Sequence, residues 1–242
     1  MAHNLTREDL KRNELGEALG AGVHFAEHHV KAILGGLGAV AAVALLVWGI
    51  WSWRAARADS ASERLGLALV VSRAEVVETG ARPGDLVEPT FSSAEERDAR
   101  ARELFAEIAE NYGSTGAGQG ARIWLGERAL ADGDAEEARR LWRGALEGGG
   151  NGAFAAAARL DLAQLDRVEG RGEELVAELS RELQAANGPL PEDALLAELA
   201  RTFQALDQIE KARESWQRLA DEHPDSAYAA TARQQLSALP TG

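Results

Sequence analysis

His24 and His28 stand four residues apart beside Glu27 and His29, and on a helix that spacing presents two imidazoles to one metal ion. No second ligand pair follows nearby, and a polar helix face next to an apolar span accounts for the same residues, so no metal site is predicted. Between Gly113 and Gly120 the glycines invite a phosphate-loop reading. That stretch lacks the Lys-Ser/Thr of a phosphate loop, spells G-x-G-x-G, and follows a helical pattern rather than a strand; it is predicted as an inter-helix turn. Asp134, Glu136 and Glu137 are followed by Arg139 and Arg140, with which they can pair or else meet water, the pattern of a solvated face. His223 is the only histidine beyond residue 53, which leaves imidazole acid–base chemistry little to work with. The expectation is no enzyme: no catalytic residues, no cofactor, no metal and no small-molecule substrate.

What remains is recognition. Arg167 and Arg201 carry guanidinium groups suited to a carboxylate or to the backbone carbonyls of an extended chain. Side chains of this kind act only if something rigid lines them up, and the chain contains such a device. Ala101-x-x-x-Phe105, Ala138-x-x-x-Trp142, Leu175-x-x-x-Leu179 and Ala212-x-x-x-Trp216 share one pattern and begin 37 residues apart. Between them lie Leu125-Gly126, Leu162-Ala163 and Leu199-Ala200. The unit is therefore a helix pair, with Leu-small on the first helix (A) and small-x-x-x-large on the second (B), so that the small residue allows close approach and the large one fills the groove. Leu175 replaces the small residue in the middle unit, where wider packing is expected. Turns are predicted at Asp132-Gly133-Asp134, Gly148-Gly149-Gly150, Gly170-Arg171-Gly172 and Asn187-Gly188-Pro189. A lone last helix, Tyr228 to Leu239, would cover the final exposed face. Projected onto this scheme, Ile123, Glu127 and Leu130, then Leu160, Gln164 and Arg167, then Ala197, Arg201 and Gln204 line the concave side as a candidate peptide groove. The same residues also suit the solvated face of a scaffold without a groove ligand.

Ahead of the repeats, residues 32–53 form an uncharged run from Ala32 to Trp53 with Ser52 its one hydroxyl, long enough as a helix to span a bilayer. Trp48, Trp51 and Trp53 gather at one end, where amphipathic rings favour the interface. The run is too long, and the preceding head too long and acidic, for a cleaved signal peptide. Gly35 with Ala39, and Gly38 with Ala42, form small-xxx-small pairs that would admit another helix. The formal charge is −13, of which −12 lies beyond residue 53, so nucleic acid and anionic headgroups are disfavoured partners and proteins favoured ones. The absence of cysteine leaves the compartment open. Near the span, Arg12 and Lys31 stand on one side against Arg54, Arg57, Arg64 and Arg73 on the other, which by charge places the large domain in the cytoplasm.

The predicted organisation is a short amphipathic head at 1–31, opened by a Thr6-x-x-Asp9 cap; a transmembrane helix at 32–53; a continuing helix and loop at 54–92; and an α-helical repeat domain at 93–242. The continuing helix carries Leu65, Leu69, Val70 and Val76 and stops at Gly80 and Pro83, with a loop from Gly80 to Ser92. Ser93-x-x-Glu96 opens the next helix with a capping box. The fold class is all-α, a single N-terminal transmembrane helix followed by a helical solenoid.

The repeat resembles the tetratricopeptide repeat: Leu125-Gly126, Ala138, Trp142 and Ala145 match one unit, and Leu199-Ala200, Phe203, Ala212, Trp216 and Pro224 another. Taken whole, with its polar head, its tryptophan-ended span, Asp59-Ser60-Ala61-Ser62 and Pro224-Asp225-Ser226, the chain resembles the membrane-anchored, YfgM-like tetratricopeptide family of ancillary Sec translocon subunits. That resemblance implies a bacterial inner-membrane protein with its repeats in the periplasm, assisting secreted or membrane polypeptides, with the translocon and periplasmic chaperones as partners. Its orientation is opposite to the charge count. The basic clamp some tetratricopeptide domains use for C-terminal carboxylates is absent, since Ile123 and Glu127 stand where basic or amide residues are wanted. A structural scaffold subunit of another envelope complex is the alternative.

Overall fold

The computed structural model describes the backbone of residues 7–77, 89–149, 152–185 and 188–240, and side chains within these from residue 38, apart from residue 149. Thr6, Gly80, Pro83, Gly84, Pro89's preceding loop residues, Gly150 and Asn187, and the side chains of His24, Glu27, His28, His29 and Gly35, lie outside that set. The chain divides into two compact units, Met1–Ala56 and Arg57–Gly242.

Helix α1 runs unbroken over Arg7–Ser72, so the predicted head helix and span form one element. Among the described residues it is the one helix long and apolar enough to cross a membrane. Its first-unit apolar side chains are uncovered: Val40, Trp48, Trp51 and Trp53 are each more than 60% exposed. A surface of this kind is costly in water and matched to lipid.

In the second unit the α1 residues from Arg57 to Ser72 take the place of a first helix. Ala61 and Ala68 pack with Ala101 and Phe105 of α2 (Ala94–Asn111) in one core, with Leu65 and Leu69 alongside. Arg64 pairs with Glu107 at 2.6 Å, and Arg57 donates to the Asn111 carbonyl. The helix was expected to carry Val76, but it ends at Ser72. Glu75 and Val77 instead exchange backbone hydrogen bonds with Phe91 across a single bridge, at 3.1 and 2.9 Å. The β-branched pair Val76-Val77 favours that extended pairing over another helical turn. Ser93 caps α2 by accepting from the Glu96 N–H at 3.1 Å, while the Glu96 carboxylate reaches back to the Ser92 N–H and hydroxyl rather than to Ser93.

The hairpins follow as α3 (Gly116–Ala131) with α4 (Ala135–Gly149), α5 (Ala153–Val168) with α6 (Gly172–Ala185), and α7 (Glu192–Ala205) with α8 (Ile209–Glu222). The lone α9 (Ala229–Ala238) covers the last face through Ala229 and Ala232. Each A-to-B turn reverses through the same left-handed residue, at φ +88° for Gly133, +77° for Gly170 and +58° for Asp207. After each, the next N–H returns to a carbonyl of the last helical turn: Asp134 to Ala129, Arg171 to Asp166, Gln208 to Phe203. Asp207 occupies the slot that glycine fills twice, at a steric cost glycine avoids.

One expectation is overturned outright. Most of the glycine-rich stretch is not an inter-helix turn: Gly116, Gly118 and Gly120 belong to the first turns of α3, behind the Thr115 cap, whose hydroxyl accepts from the Gly118 N–H at 3.2 Å. The glycines serve close approach. A Cβ on Gly118 would lie 2.1 Å from the Tyr112 carbonyl oxygen, and one on Gly120 would lie 2.9 Å from the Phe154 ring.

The small-and-large rule holds in the first and third hairpins. Trp142 lies against Gly126, where a Cβ would come within 2.4 Å of its indole nitrogen. Trp216 is buried with Ala200 and Ala197. The middle hairpin differs: α5 and α6 meet far less closely than α3 and α4 or α7 and α8. Leu175 and Leu179 pack with Ala163 and with Leu195 and Leu199 of α7. Between α5 and α6 the buried Arg159 donates to Glu182 at 2.6 Å and lies 3.5 Å from Glu178.

A charge ladder escaped the sequence reading. Arg102, beside Ala101, pairs with Asp132 at the α3 C-cap. Arg139, beside Ala138, reaches Asp166 and the α5 C-cap Glu169 at 2.6 and 2.7 Å. Arg213, beside Ala212, donates to the Leu239 and Pro240 carbonyls at the end of α9. Each B-helix arginine thus serves the C-terminal end of the following helix, where a cation complements the helix dipole. At the equivalent middle positions stand the apolar Val176 and Leu206.

Candidate protein interface

The nine predicted groove residues all lie on the A helices α3, α5 and α7, but they do not form one uniform surface. Glu127, Gln164 and Leu130 are exposed, with Leu130 41% so. Ile123 and Leu160 are partly covered against neighbouring cores. Ala197 is fully buried. Gln204 turns away to accept from the Trp216 indole at 3.1 Å and to donate to Gln235 at 3.0 Å.

Arg167 and Arg201 do hold a carboxylate, and it is the chain's own. Glu198, 2% exposed, accepts from Arg167 with one oxygen and from Arg201 with the other. Arg201 also lies over the Tyr228 ring, 5.7 Å from its centroid. The sequence reading placed both arginines on one side but missed Glu198, because it sits one residue past Ala197 in a run, Ala194 to Ala200, that is buried throughout. A buried carboxylate without partners would cost several kcal/mol, roughly, and these two guanidinium groups remove that cost.

One repeat earlier, at the position equivalent to Glu198, stands Asp161. Among the described residues it has no hydrogen bond or ion pair. Burial, with the Glu127 carboxylate nearby as a second cause, pushes its carboxyl up to about 6. Among the described residues, this face of the A helices therefore carries unpaired acid at Glu127 and Asp161 and an internally neutralised carboxylate at Glu198.

Two grooves lie on the other side of the A helices. The first, about 770 Å³, runs between α2, α3 and α4 and includes Arg102, Arg122, Leu125, Arg128, Asp132, Glu137 and Arg140. The second, about 500 Å³, runs between α6, α7 and α8 and includes Leu196, Leu199, Phe203, Lys211 and Glu214. They occupy equivalent positions two repeats apart, so Arg122 corresponds to Leu196 and Glu137 to Lys211. Sequence reasoning singled out neither, although the 37-residue period would have aligned them.

Glu192, Glu222 and His223 bring three metal-capable atoms together, a grouping the sequence reading did not foresee. Arg218 donates to both glutamates, at 3.4 and 3.1 Å, so a cation already occupies the cluster. In the first unit, Gly38, Ala39 and Ala42 are exposed on α1 and a Cβ on Gly38 would meet nothing within 4 Å, while Gly35 lies outside the described side chains.

Comparison with known families gives two matches. A model described as tetratricopeptide repeat-like domain matches residues 24–194, and one described as tetratricopeptide repeat matches residues 196–226. No curated protein matches the chain.

Proposed function

From the premise that this chain belongs to the tetratricopeptide repeat-like domain family, we propose that it is a membrane-anchored, non-enzymatic protein-interaction module at the periplasmic face of the bacterial inner membrane. Tetratricopeptide repeats are protein–protein interaction modules, which supplies the class of partner. The observation that carries the reading is the pairing of an uncovered apolar helix with a stack whose A helices present exposed Glu127, Leu130 and Gln164. The non-enzymatic part of the reading rests on the family, whose repeats are typically interaction modules. Association with the Sec translocon and with periplasmic chaperones extends the same reading, on the strength of the resemblance to YfgM-like proteins. In the second reading the protein is a scaffold subunit of another envelope complex, docked through Gly35, Gly38, Ala39 and Ala42; the uncovered small residues of α1 favour it.

Two measurements on the full chain in its native membrane test these readings. A photo-crosslinking amino acid at Gln164 should form adducts with other polypeptides; adducts from residue 38 with none from Gln164 would favour the scaffold instead. Because the chain has no cysteine, Ser114→Cys and Asn4→Cys can be labelled singly by an impermeant maleimide in spheroplasts. Labelling at position 114 alone agrees with periplasmic repeats, and labelling at position 4 alone overturns both the compartment and the translocon.

A further inference from the structure

The middle hairpin shows how this fold accommodates an arginine on the groove side of an A helix. Arg159 is met there by Glu182 and Glu178, both supplied by α6. Its counterpart one repeat earlier is Arg122, and the positions corresponding to the two glutamates are Ala145 and Leu141. Among the described residues Arg122 pairs with no carboxylate. Its Nη atoms donate instead to three backbone carbonyls, Gly113 at 2.9 Å, Gly144 at 3.1 Å and Ala109 at 3.3 Å.

A second guanidinium stands in the same groove. Arg128 corresponds to Leu165 and Thr202, which are 4% and 0% exposed. A position the fold otherwise fills with core residues carries here an arginine whose Nε is buried with no hydrogen-bond partner and which makes no ion pair among the described residues. The guanidinium lies over the Trp124 ring, 5.3 Å from its centroid. The acids lining the groove make no hydrogen bond or ion pair with it, although its charge helps to hold the Asp132 carboxyl low. Asp132 is held by Arg102 and Glu137 by Arg140, Asp134 accepts from the Glu137 N–H, and Glu110 is exposed and bonds neither guanidinium. A local rule is broken at this repeat, and the arginine that breaks it has no hydrogen-bonded acid among the described residues, which is the pattern of a position kept for function.

We propose that the groove between α2, α3 and α4 binds an acidic segment of a partner polypeptide, one Asp or Glu side chain of which is received by Arg128, with Arg122 further along the same groove. An Arg–carboxylate pair formed there would be charge-assisted and partly desolvated, and Leu125 and Leu141 offer the neighbouring apolar contact. The inference rests on the interaction-module reading only in taking a polypeptide as ligand, and it concerns the side of the A helices opposite to Gln164.

The test uses the full chain in detergent micelles and fluorescence anisotropy with rhodamine-labelled, N-acetylated and C-amidated peptides, Gly-Glu-Leu-Glu-Gly against Gly-Gln-Leu-Gln-Gly. The Glu peptide should bind more tightly than the Gln peptide, and Arg128→Gln should remove about tenfold or more of that preference. Arg218→Gln, at the far end of the stack, should leave it intact. Arg128→Gln gives up the contact with the Trp124 ring and the charge near Asp132, so the thermal midpoint is measured alongside and the comparison is made where both proteins are fully folded. Arg128→Glu adds an independent check, since it should transfer the preference to a Gly-Lys-Leu-Lys-Gly probe. Equal affinity for the Glu and Gln peptides, or a preference that survives both Arg128→Gln and Arg122→Gln, overturns the proposal. So does binding confined to a Gln peptide with a free C-terminal carboxylate. Crosslinks from Gln164 alongside any of these failures would leave the interaction module standing and remove only this groove.

Discussion

The first and third hairpins and the middle one solve the same packing problem with different chemistry. In α3/α4 and α7/α8 a tryptophan fills the space left by Gly126 or Ala200, and the indole N–H finds an acceptor, the Ile123 carbonyl at 3.4 Å or Gln204. In α5/α6 the large residue is only Leu179, the helices stand apart, and the gap holds Arg159 with Glu182. Beside the leucine seam stands a charge pair, at positions where the first hairpin carries Arg122 and Ala145 and the third Leu196 and Leu219. Ion pairs of this kind hold a geometry at little net gain, whereas buried aromatic surface contributes stability directly.

The widest separation between the two solutions should appear on truncation. Trp216→Ala should cost about 3–5 kcal/mol in denaturant unfolding, more than Leu179→Ala, because the smaller residue leaves the smaller cavity. Equal losses would mean that the middle seam is packed as tightly as its neighbours. Next in size, Arg159→Met should cost about 1–3 kcal/mol by stranding Glu182, and adding Glu182→Leu should recover most of it. If the double variant is no better than the single one, the pair contributes more than an apolar filling and the contrast fails.

The smallest effect concerns the A-helix position shared by Glu198, which has two arginines, and Asp161, which has none. The Asp161 carboxyl titrates at about 6 when folded, above its ordinary range, so folding binds its proton more tightly. The associated stability is complete below about pH 4 and is lost as the pH rises through 6. Asp161→Asn should therefore raise stability at pH 7 by about 1 kcal/mol, well short of the full shift because the group is partly exposed and screened, and should change nothing at pH 4. Urea titrations at the two pH values decide it.

Legibility in the sequence followed the range of the interaction. The 37-residue period, the hairpins, the Ser93 cap and the looser middle unit could all be read from residue size and spacing, because packing between helices one turn apart repeats with the chain. The end of α1 could not, since Ser72 is followed by a pairing with Phe91 that no local pattern announces. The glycines at 116, 118 and 120 were misread for the same reason: their partners, Tyr112 and Phe154, give the close approach that composition alone assigns to a turn. On the candidate interface, Glu127, Leu130 and Gln164 are exposed. Arg167 and Arg201 were taken as open to a ligand because Glu198, 31 residues from Arg167, is recognisable as their partner only once α5 and α7 are side by side. Arg122 and Arg128 gave a signal that went unused, namely arginine where the aligned repeats carry Leu196, Leu165 and Thr202.

The arginine ladder distributes cohesion unevenly along the second unit. Its first rung, Arg102 with Asp132, is about half exposed and falls within reach of dissolved ions, whereas the second, through Arg139 at 4% side-chain exposure, is shielded from them. The third rung, Val176 and Leu206, has no charge to screen, and the last ends on carbonyl oxygens. Along this ladder ionic strength therefore acts on the α2–α3 junction and hardly at all on the buried rung, so that salt discriminates between junctions that share one geometry.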